Sequence, residues 1–464
     1  MKNKKILWIL FLATLHSGNT LFAQRALSLD DVRSLAIENS NELKIAKEEE
    51  KVAYFEKKEA YLKYFPKVSL TGGYLRNQKS LYLLGKSVLP PSLTLPLPPG
   101  GTTTVPIPPS LNNTLHEHSE LDIKNVWLGS VSLTQPIFTG GRIVAYNDIM
   151  KYAEALAKSK KDTELQAVIA ELDATYWQIV SLADKKKLAE SYLKLLNKMS
   201  SDISIMEQEG VATKADVLSV MVKMNEAEVA LNKVDNGLAL SRMLLNQLCG
   251  LPIEEHVSLI DENLQLTIHP ASQELPSVEE ALVNRSEIKS LELATKIYKK
   301  KEKIARAEFL PEVGLMAGYL ITNPNGFDGF QNKFGGMWNI GVGVTMPLNF
   351  LSSSASLNAA KAEARIQEYH LHEAKEKIEL QVNQTTFKLN EAYKKYTASQ
   401  KNMEKANENL RYANTGFEEG VIPASDVLAA HTAWLSAHSE LIDSQIDVKL
   451  SDLYLNKALG RKLK

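Results

Sequence analysis

Apolar residues recur at spacings of three and four through residues 143–208. They include Leu165, Val168, Ile169, Leu172, Tyr176, Ile179, Val180 and Ala183, then Leu188, Tyr192, Leu195, Met199 and Ile203. A stripe this narrow predicts the seam of a coiled coil. At about 1.5 Å per residue the helix would be roughly 100 Å long, more than a compact globular domain can hold. A second long helix is predicted over 357–418. The first breaks at "EGVATKAD" and returns over 213–248, and the second breaks at "EGVIPASD". The return helix is about half the length of its partner. The expected filler is the Ser286–Phe309 helix, stacked end to end on it, with 251–276 outside as a waist.

The period changes to two in four other stretches. In "WLGSVSLT", Trp127, Val131 and Leu133 share one face, and Leu128, Ser130, Ser132 and Thr134 the other. In "WNIGVGVT", Trp338, Ile340, Val342 and Val344 oppose Asn339, Gly341, Gly343 and Thr345. Val68, Leu70 and Tyr74 match Val313, Leu315 and Tyr319 in the same manner. Such alternation predicts strands with one bulky apolar face and one small polar face. A soluble sandwich alternates too. Three features favour lipid. The strands are near the ten residues that cross a bilayer as tilted β. Their aromatic ends, Tyr74, Trp127, Tyr319 and Trp338, suit a membrane interface. The inward side is Gly, Ser and Thr, as a lumen requires. A lipid-facing sheet must close on itself, and four strands cannot close around a pore. Several chains must each lend four; three chains would give twelve.

These elements occur twice. "YFPKVSLTGGYL" matches "FLPEVGLMAGYL", with Pro66 against Pro311, an offset of 245. Trp127 matches Trp338 at 211, and Gly210 with Asp216 match Gly420 with Asp426 at 210. "LNQLCG" from Leu245 matches "LNKALG" from Leu455, again at 210. The fall from 245 to 211 locates a 34-residue insertion between Tyr74 and Trp127. It holds eight of the 17 prolines, from Pro90 to Pro109, and is expected to be a surface loop. Helix starts are expected after Ser28 and Ser277, the latter with Glu280 at the capping-box position. Further starts come at Asn41 and Ser286, and stops near Tyr64 and Phe309, ahead of Pro66 and Pro311.

Composition narrows the function. The chain has 464 residues, 44% hydrophobic and 23% charged, with formal net charge −1. A folded core follows, and nothing recommends nucleic acid as a partner. Lys2, Lys4 and Lys5 precede a short apolar run, Ile6–Leu15, and Ala23 offers a cleavage point: an export signal over 1–23. The lone Cys249 excludes disulfides within the chain and reads as a small buried apolar residue. No phosphate-cradling loop, zinc signature or nucleophile motif is present, so no enzyme activity, cofactor or metal is expected. His116 with His118, and His370 with His372, read as surface histidines.

The strand motifs "FP.VSL..GY" and "V.LTQPIFTGGR", the paired "G-V…D-V-L" turns and the two-fold repeat together resemble the TolC-like family of outer-membrane efflux proteins. The resemblance covers essentially the whole mature chain. It implies a mainly α fold with membrane β, in which a homotrimer forms a 12-stranded transmembrane barrel continued by a periplasmic α-helical barrel. It implies a passive exit duct of a tripartite efflux or type I secretion system in the outer membrane, touching outer-membrane lipid and partnered by a periplasmic adaptor and an inner-membrane transporter. The alternatives are a periplasmic adaptor, which would need substantial β-domains flanking one hairpin, and a structural coiled coil, which would not need the Trp-ended strands. The repeats are expected at 24–250 (strands 66–76 and 126–138, tip 207–216) and 277–464 (strands 311–321 and 337–348, tip 417–426), joined by 251–276. The resemblance makes both tips gate and docking elements: Gly210, Val211 and Asp216 in one, Gly420, Val421 and Asp426 in the other. Gly210 and Gly420 permit the positive φ of a sharp helix exit, and Pro423 fits the first turn of the next helix. Asp216 and Asp426, just inside the next helix, read from the residues alone as favourable charges at a helix N-terminus; the resemblance implies instead that Asp426 forms a three-fold acidic ring in the lumen. The chain departs from the family at Ala212 and Ile422, where some relatives carry a basic residue, at Ala429, where they often have a second Asp, and at Phe417 in place of Tyr. These departures suggest a gate held mainly by packing.

Overall fold

The computed structural model describes residues 26–263, 268 and 276–462; the expected export signal over 1–23, and residues 264–267 and 269–275 of the expected waist, lie outside them. In chain order, β1 (Ala26–Leu27), α1 (Leu29–Asn39) and α2 (Asn41–Leu62) lead into β2 (Lys67–Arg76). Then come β3 (Leu81–Tyr82), β4 (Ser92–Leu97), β5 (Gly101–Pro106), α3 (Pro109–His118), β6 (Glu120–Leu121) and β7 (Asn125–Thr139). The long α4 (Arg142–Gln208) and α5 (Lys214–Leu248) follow, then β8 (Ser258–Leu259) and a 3-10 turn at Ile260–Asn263. The rest comprises α6 (Val278–Asn284), α7 (Ser286–Ala307), β9 (Glu312–Asn323), β10 (Gly335–Thr345), α8 (Phe350–Glu418) and α9 (Ala424–Ala458). The described residues form two compact units.

The first unit takes the chain up to Glu48, Ser159–Ile288 and the part from Glu373 onward. The α4 stripe is its core: Val168, Ile169, Leu172, Tyr176, Ile179, Val180, Ala183, Leu188, Tyr192, Met199 and Ile203 are all buried. Two positions differ: Leu165 is only half-buried, and Leu196, not Leu195, is fully buried, because both of the latter lie three or four residues from Tyr192 and Met199 and only one faces inward. Each fully buried Leu or Ile contributes about 1.5–3 kcal/mol. Helix α1 starts at a capping box, with Ser28 Oγ accepting from Asp31 N–H and Asp31 accepting from Ser28 N–H. Ser277 caps α6 through Glu280 N–H. The Arg33 guanidinium grips the buried Asp173 carboxylate with two bonds of 2.9 and 2.6 Å, which a planar fork does best.

Two expectations about this unit are corrected. The C-terminal turn of α5 does not close on the Ser286 helix. Gly250, at φ 66°, lies against Asn39 at the α1–α2 junction, where a Cβ would come within 2.7 Å of the Asn39 Cβ. Gly460, at φ 67°, instead closes α9 on Asn284 and Arg285 at the α6–α7 junction. Nor does the segment after Leu251 lie wholly outside. Val257 and Leu259 are buried, and β8 pairs with β1 in parallel. The 3-10 turn is tied down by charge: Tyr176 donates to Asp261 at 2.6 Å, Arg242 pairs with Glu262 at 2.8 Å, and Lys187 donates to the Glu262 carbonyl.

The second unit takes Glu49–Lys158 and Lys289–His372. Its centre is one antiparallel sheet in the order β10-β9-β7-β2. The helix segments at its base are joined by Lys57 with Glu154 at 2.6 Å, by Lys300 with Asp148, and by Asn147 donating to the Ala60 carbonyl at 3.0 Å. The insertion corrects a third expectation. It is not irregular: β4 and β5 form a hairpin and α3 follows. Pro96 and Pro106 are tolerated because a two-stranded ribbon leaves each strand one free edge, and Pro109 sits at the start of α3, where its missing N–H costs nothing. The helix stops come two residues early, at Leu62 and Ala307.

Candidate functional site

Two surfaces carry the residues singled out in the sequence. The first is the pair of helical tips in the first unit. Helix α4 ends in a Schellman turn: Gly210 N–H donates to the Glu207 carbonyl at 3.1 Å and Val211 N–H to the Met206 carbonyl at 2.8 Å. The second tip repeats this, with Gly420 to Phe417 at 3.0 Å and Val421 to Gly416 at 2.8 Å. Both motifs require a left-handed residue, and Gly210 and Gly420 supply it at φ 76° and 74°. The next residue points out: Val211 is 73% and Val421 80% exposed. Two residues beyond each glycine, Ala212 and Ile422 turn inward onto a single apolar cluster. It includes Leu196, Ile203, Val217, Val427 and Phe417, so both tips share one core.

The two acidic residues then diverge. Asp216 is locked into a capping box on α5. Its N–H donates to Thr213 Oγ1 at 3.2 Å, while the Thr213 hydroxyl and N–H donate to its carboxylate at 2.6 and 2.9 Å. The Thr213 hydroxyl, followed by the Thr213 backbone N–H, holds this carboxylate below its ordinary range. At the matching place Pro423 is the N-cap of α9, one position earlier than the sequence suggested, and it has no side-chain oxygen to offer. Among the described residues, the Asp426 side chain receives only a long contact from Ser425 Oγ, at 3.5 Å. Above this tip, His431 and His438 lie seven residues apart on α9, each with a buried Nδ1 that meets no hydrogen-bond partner among the described residues. Burial pushes both imidazoles down.

The sequence reading missed two of these tip residues, Thr213 and Gly416. Thr213 was legible as the T-x-x-D of a capping box. Gly416 packs on Ile422; aligning the repeats sets Met206 and Ala212 against them, with large and small exchanged.

The second surface is the sheet. Register places Trp338, Tyr319, Val131 and Leu70 in one cross-strand row, and Ile340, Ala317, Leu133 and Val68 in the next on the same face. This face is uncovered: Leu70 is 81% and Trp338 72% exposed. The opposite face carries Ser69, Ser132, Gly318 and Asn339 in one row, with the Ser69 and Ser132 hydroxyls 2.7 Å apart. The four aromatics form two cross-strand pairs. Tyr74 and Trp127 have ring centroids 4.5 Å apart, and the Tyr74 hydroxyl donates to Asn125 at 2.8 Å. Tyr319 faces Trp338, in a row four residues along from that pair. Both outer strands, β2 and β10, are sheet edges.

Among the described residues, no group of three or more His, Cys, Asp or Glu side chains is placed to hold a metal ion, and no helix is long and apolar enough to cross a membrane. His116 stacks on Tyr82 at 4.3 Å and contacts the Leu84 carbonyl through Nδ1; His118 contacts the Thr114 carbonyl.

Comparison with known proteins agrees with this geometry. A family model described as outer membrane efflux protein matches residues 32–251 and 277–461. The alkaline protease secretion protein AprF of Pseudomonas aeruginosa is 22% identical over 331 residues, covering 69% of this chain and 67% of that protein. Among solved structures, the outer-membrane channel OprN aligns with TM-score 0.75 at 16% identity, over 94% of this chain and 90% of its own. The outer membrane protein VceC of Vibrio cholerae aligns with TM-score 0.73 at 16% identity, over 94% and 97%. The MtrE outer membrane channel of Neisseria gonorrhoeae, in its open state, aligns with TM-score 0.72 at 18% identity, over 94% and 89%.

Proposed function

The chain belongs to the outer membrane efflux protein family, and from that premise we propose that it is the outer-membrane exit duct of a tripartite efflux or type I secretion system. The observation that carries the reading is the four-stranded sheet, with an apolar face exposed, a small polar face behind it and two open edges. Unpaired N–H and C=O groups along an edge are not tolerated in hydrocarbon, so a lipid-facing sheet closes. Pairing β2 of one copy with β10 of the next closes it, and a homotrimer gives twelve strands. Tyr74, Trp127, Tyr319 and Trp338 then lie toward the membrane interfaces.

On this reading the paired tips form the periplasmic entrance. Val211 and Val421 are the apolar points an adaptor would grip, set at fixed angles by Gly210 and Gly420. An inner-membrane transporter supplies the cargo through that adaptor. Asp426, without a cap partner, is available to line the entrance in three copies, whereas Asp216 is committed to its helix. The repeats at 24–250 and 277–464 would each supply one tip and two strands.

Purification from outer membranes in detergent, native mass measurement and planar-bilayer recording test this. A trimer that conducts is the expected result. A detergent-free, monodisperse monomer would refute it.

A further inference from the structure

The chain carries two uncovered apolar surfaces at the same end of its sheet. One is the insertion hairpin. Register puts Leu93 opposite Val105 and Leu95 opposite Thr103, so three apolar side chains, Leu93, Leu95 and Val105, share a face with Thr103, while Thr94, Pro96, Thr102 and Thr104 share the other. The second is the β9–β10 loop. It is an ordered turn: Asn325 N–H donates to the Gln331 carbonyl at 2.8 Å, Gln331 N–H returns to Asn325 at 3.2 Å, and the buried Asn325 side chain accepts from Phe327 N–H at 3.0 Å. Phe327, Phe330 and Phe334 project from it. These six side chains are between 40% and 59% exposed. Apolar clusters on ordered backbone mark interaction sites.

We propose that the insertion hairpin of one copy packs on the phenylalanine loop of the next, an interlock at the outer rim of the barrel. The inference rests on the closed homotrimer proposed above. In the sheet order β10-β9-β7-β2, the hairpin is rooted between β2 and β7 and the phenylalanine loop between β9 and β10. With strands about 4.8 Å apart, each hairpin root in a closed ring has a phenylalanine loop about 10 Å away on either side. One belongs to its own chain and the other to the neighbour across the β2–β10 seam. The own-chain loop leaves both surfaces exposed, so the neighbour's is the one in position to cover them. Threonines line the reverse face of the hairpin, so it has a wet side and a dry side, as a rim element needs.

The test uses the full chain in detergent, with p-benzoylphenylalanine in place of Leu95, and native mass measured on the same preparation. Irradiation is expected to give a dimer-sized covalent band on a denaturing gel, with the adduct mapping to residues 324–334. The Phe327→Ser, Phe330→Ser, Phe334→Ser triple variant should lose most of that band and dissociate to monomers at lower temperature. An adduct confined to one chain, or to lipid, in a preparation that is trimeric by mass would overturn the interlock and leave the duct reading standing. A monomeric mass would overturn both.

Discussion

Ile422 packs directly onto Gly416: a Cβ on that glycine would lie 2.5 Å from the Ile422 Cδ1 and 2.7 Å from its Cγ1. Gly416 also accepts the N–H groups of both Val421 and Ile422, so the contact fixes the turn. In the first tip Met206 accepts the same two bonds, and small Ala212 takes the place of Ile422. Gly416→Ala should therefore destabilise the second tip, because overpacking costs about 1–3 kcal/mol and outweighs the ~1 kcal/mol gained in helix propensity. In an Ile422→Ala background the sign should invert, and Gly416→Ala should stabilise. Hydrogen exchange at residues 417–424 reads both; the same sign in both backgrounds would refute the packing account.

Thr213→Val keeps the shape at the start of α5 and removes the hydroxyl that caps Asp216. Loss of such a cap costs about 1 kcal/mol, so amides 214–217 should exchange roughly fivefold faster. The Asp216 carboxylate is held low by Thr213. Its stabilisation is thus present above the unfolded pKa of about 3.9 and is lost as pH falls through the lower folded value. The difference between wild type and Thr213→Val should shrink below about pH 4. A difference that persists unchanged at pH 2 would place the stabilisation elsewhere.

Much of this was legible in the sequence, for reasons that differ by element. The strands at Lys67–Arg76 and Gly335–Thr345 alternate cleanly because one face is bulky and the other small. The tips showed themselves through glycine, which has few substitutes at positive φ. Which helix end meets which was not legible. The Gly250–Asn39 contact joins residues far apart in sequence, and two candidate helices of equal length, α2 and α7, offered similar starts. The insertion hairpin was hidden by its prolines, which mask an alternation of Leu93, Leu95 and Leu97 that two-stranded pairing can still use.

On the duct reading the insertion should face the cell exterior, since it joins β2 to β7 at the strand ends away from those connected to α2 and α4. Protease added to intact cells is expected to cut within 79–115. Cleavage that appears only after the outer membrane is permeabilised would reverse the topology.

The divergence of Asp216 and Asp426 makes the sharpest claim about the entrance. Three Asp426 carboxylates brought together would attract a multivalent cation, and a bound cation would block the pore. Asp426→Asn should weaken block of single-channel current by a trivalent cation on the periplasmic side, and Asp216→Asn should not, because that carboxylate is spent on Thr213. Pro423→Thr gives a second route that keeps the charge. Pro423 has φ −72° and ψ 156°, close to the −97° and 159° of Thr213, so a threonine there would fit without strain. Its hydroxyl would draw Asp426 into a capping box, as Thr213 draws Asp216, and block should weaken although no charge is lost. Equal block in wild type, Asp426→Asn and Pro423→Thr would remove Asp426 from the lumen and leave it a role only at its own helix terminus.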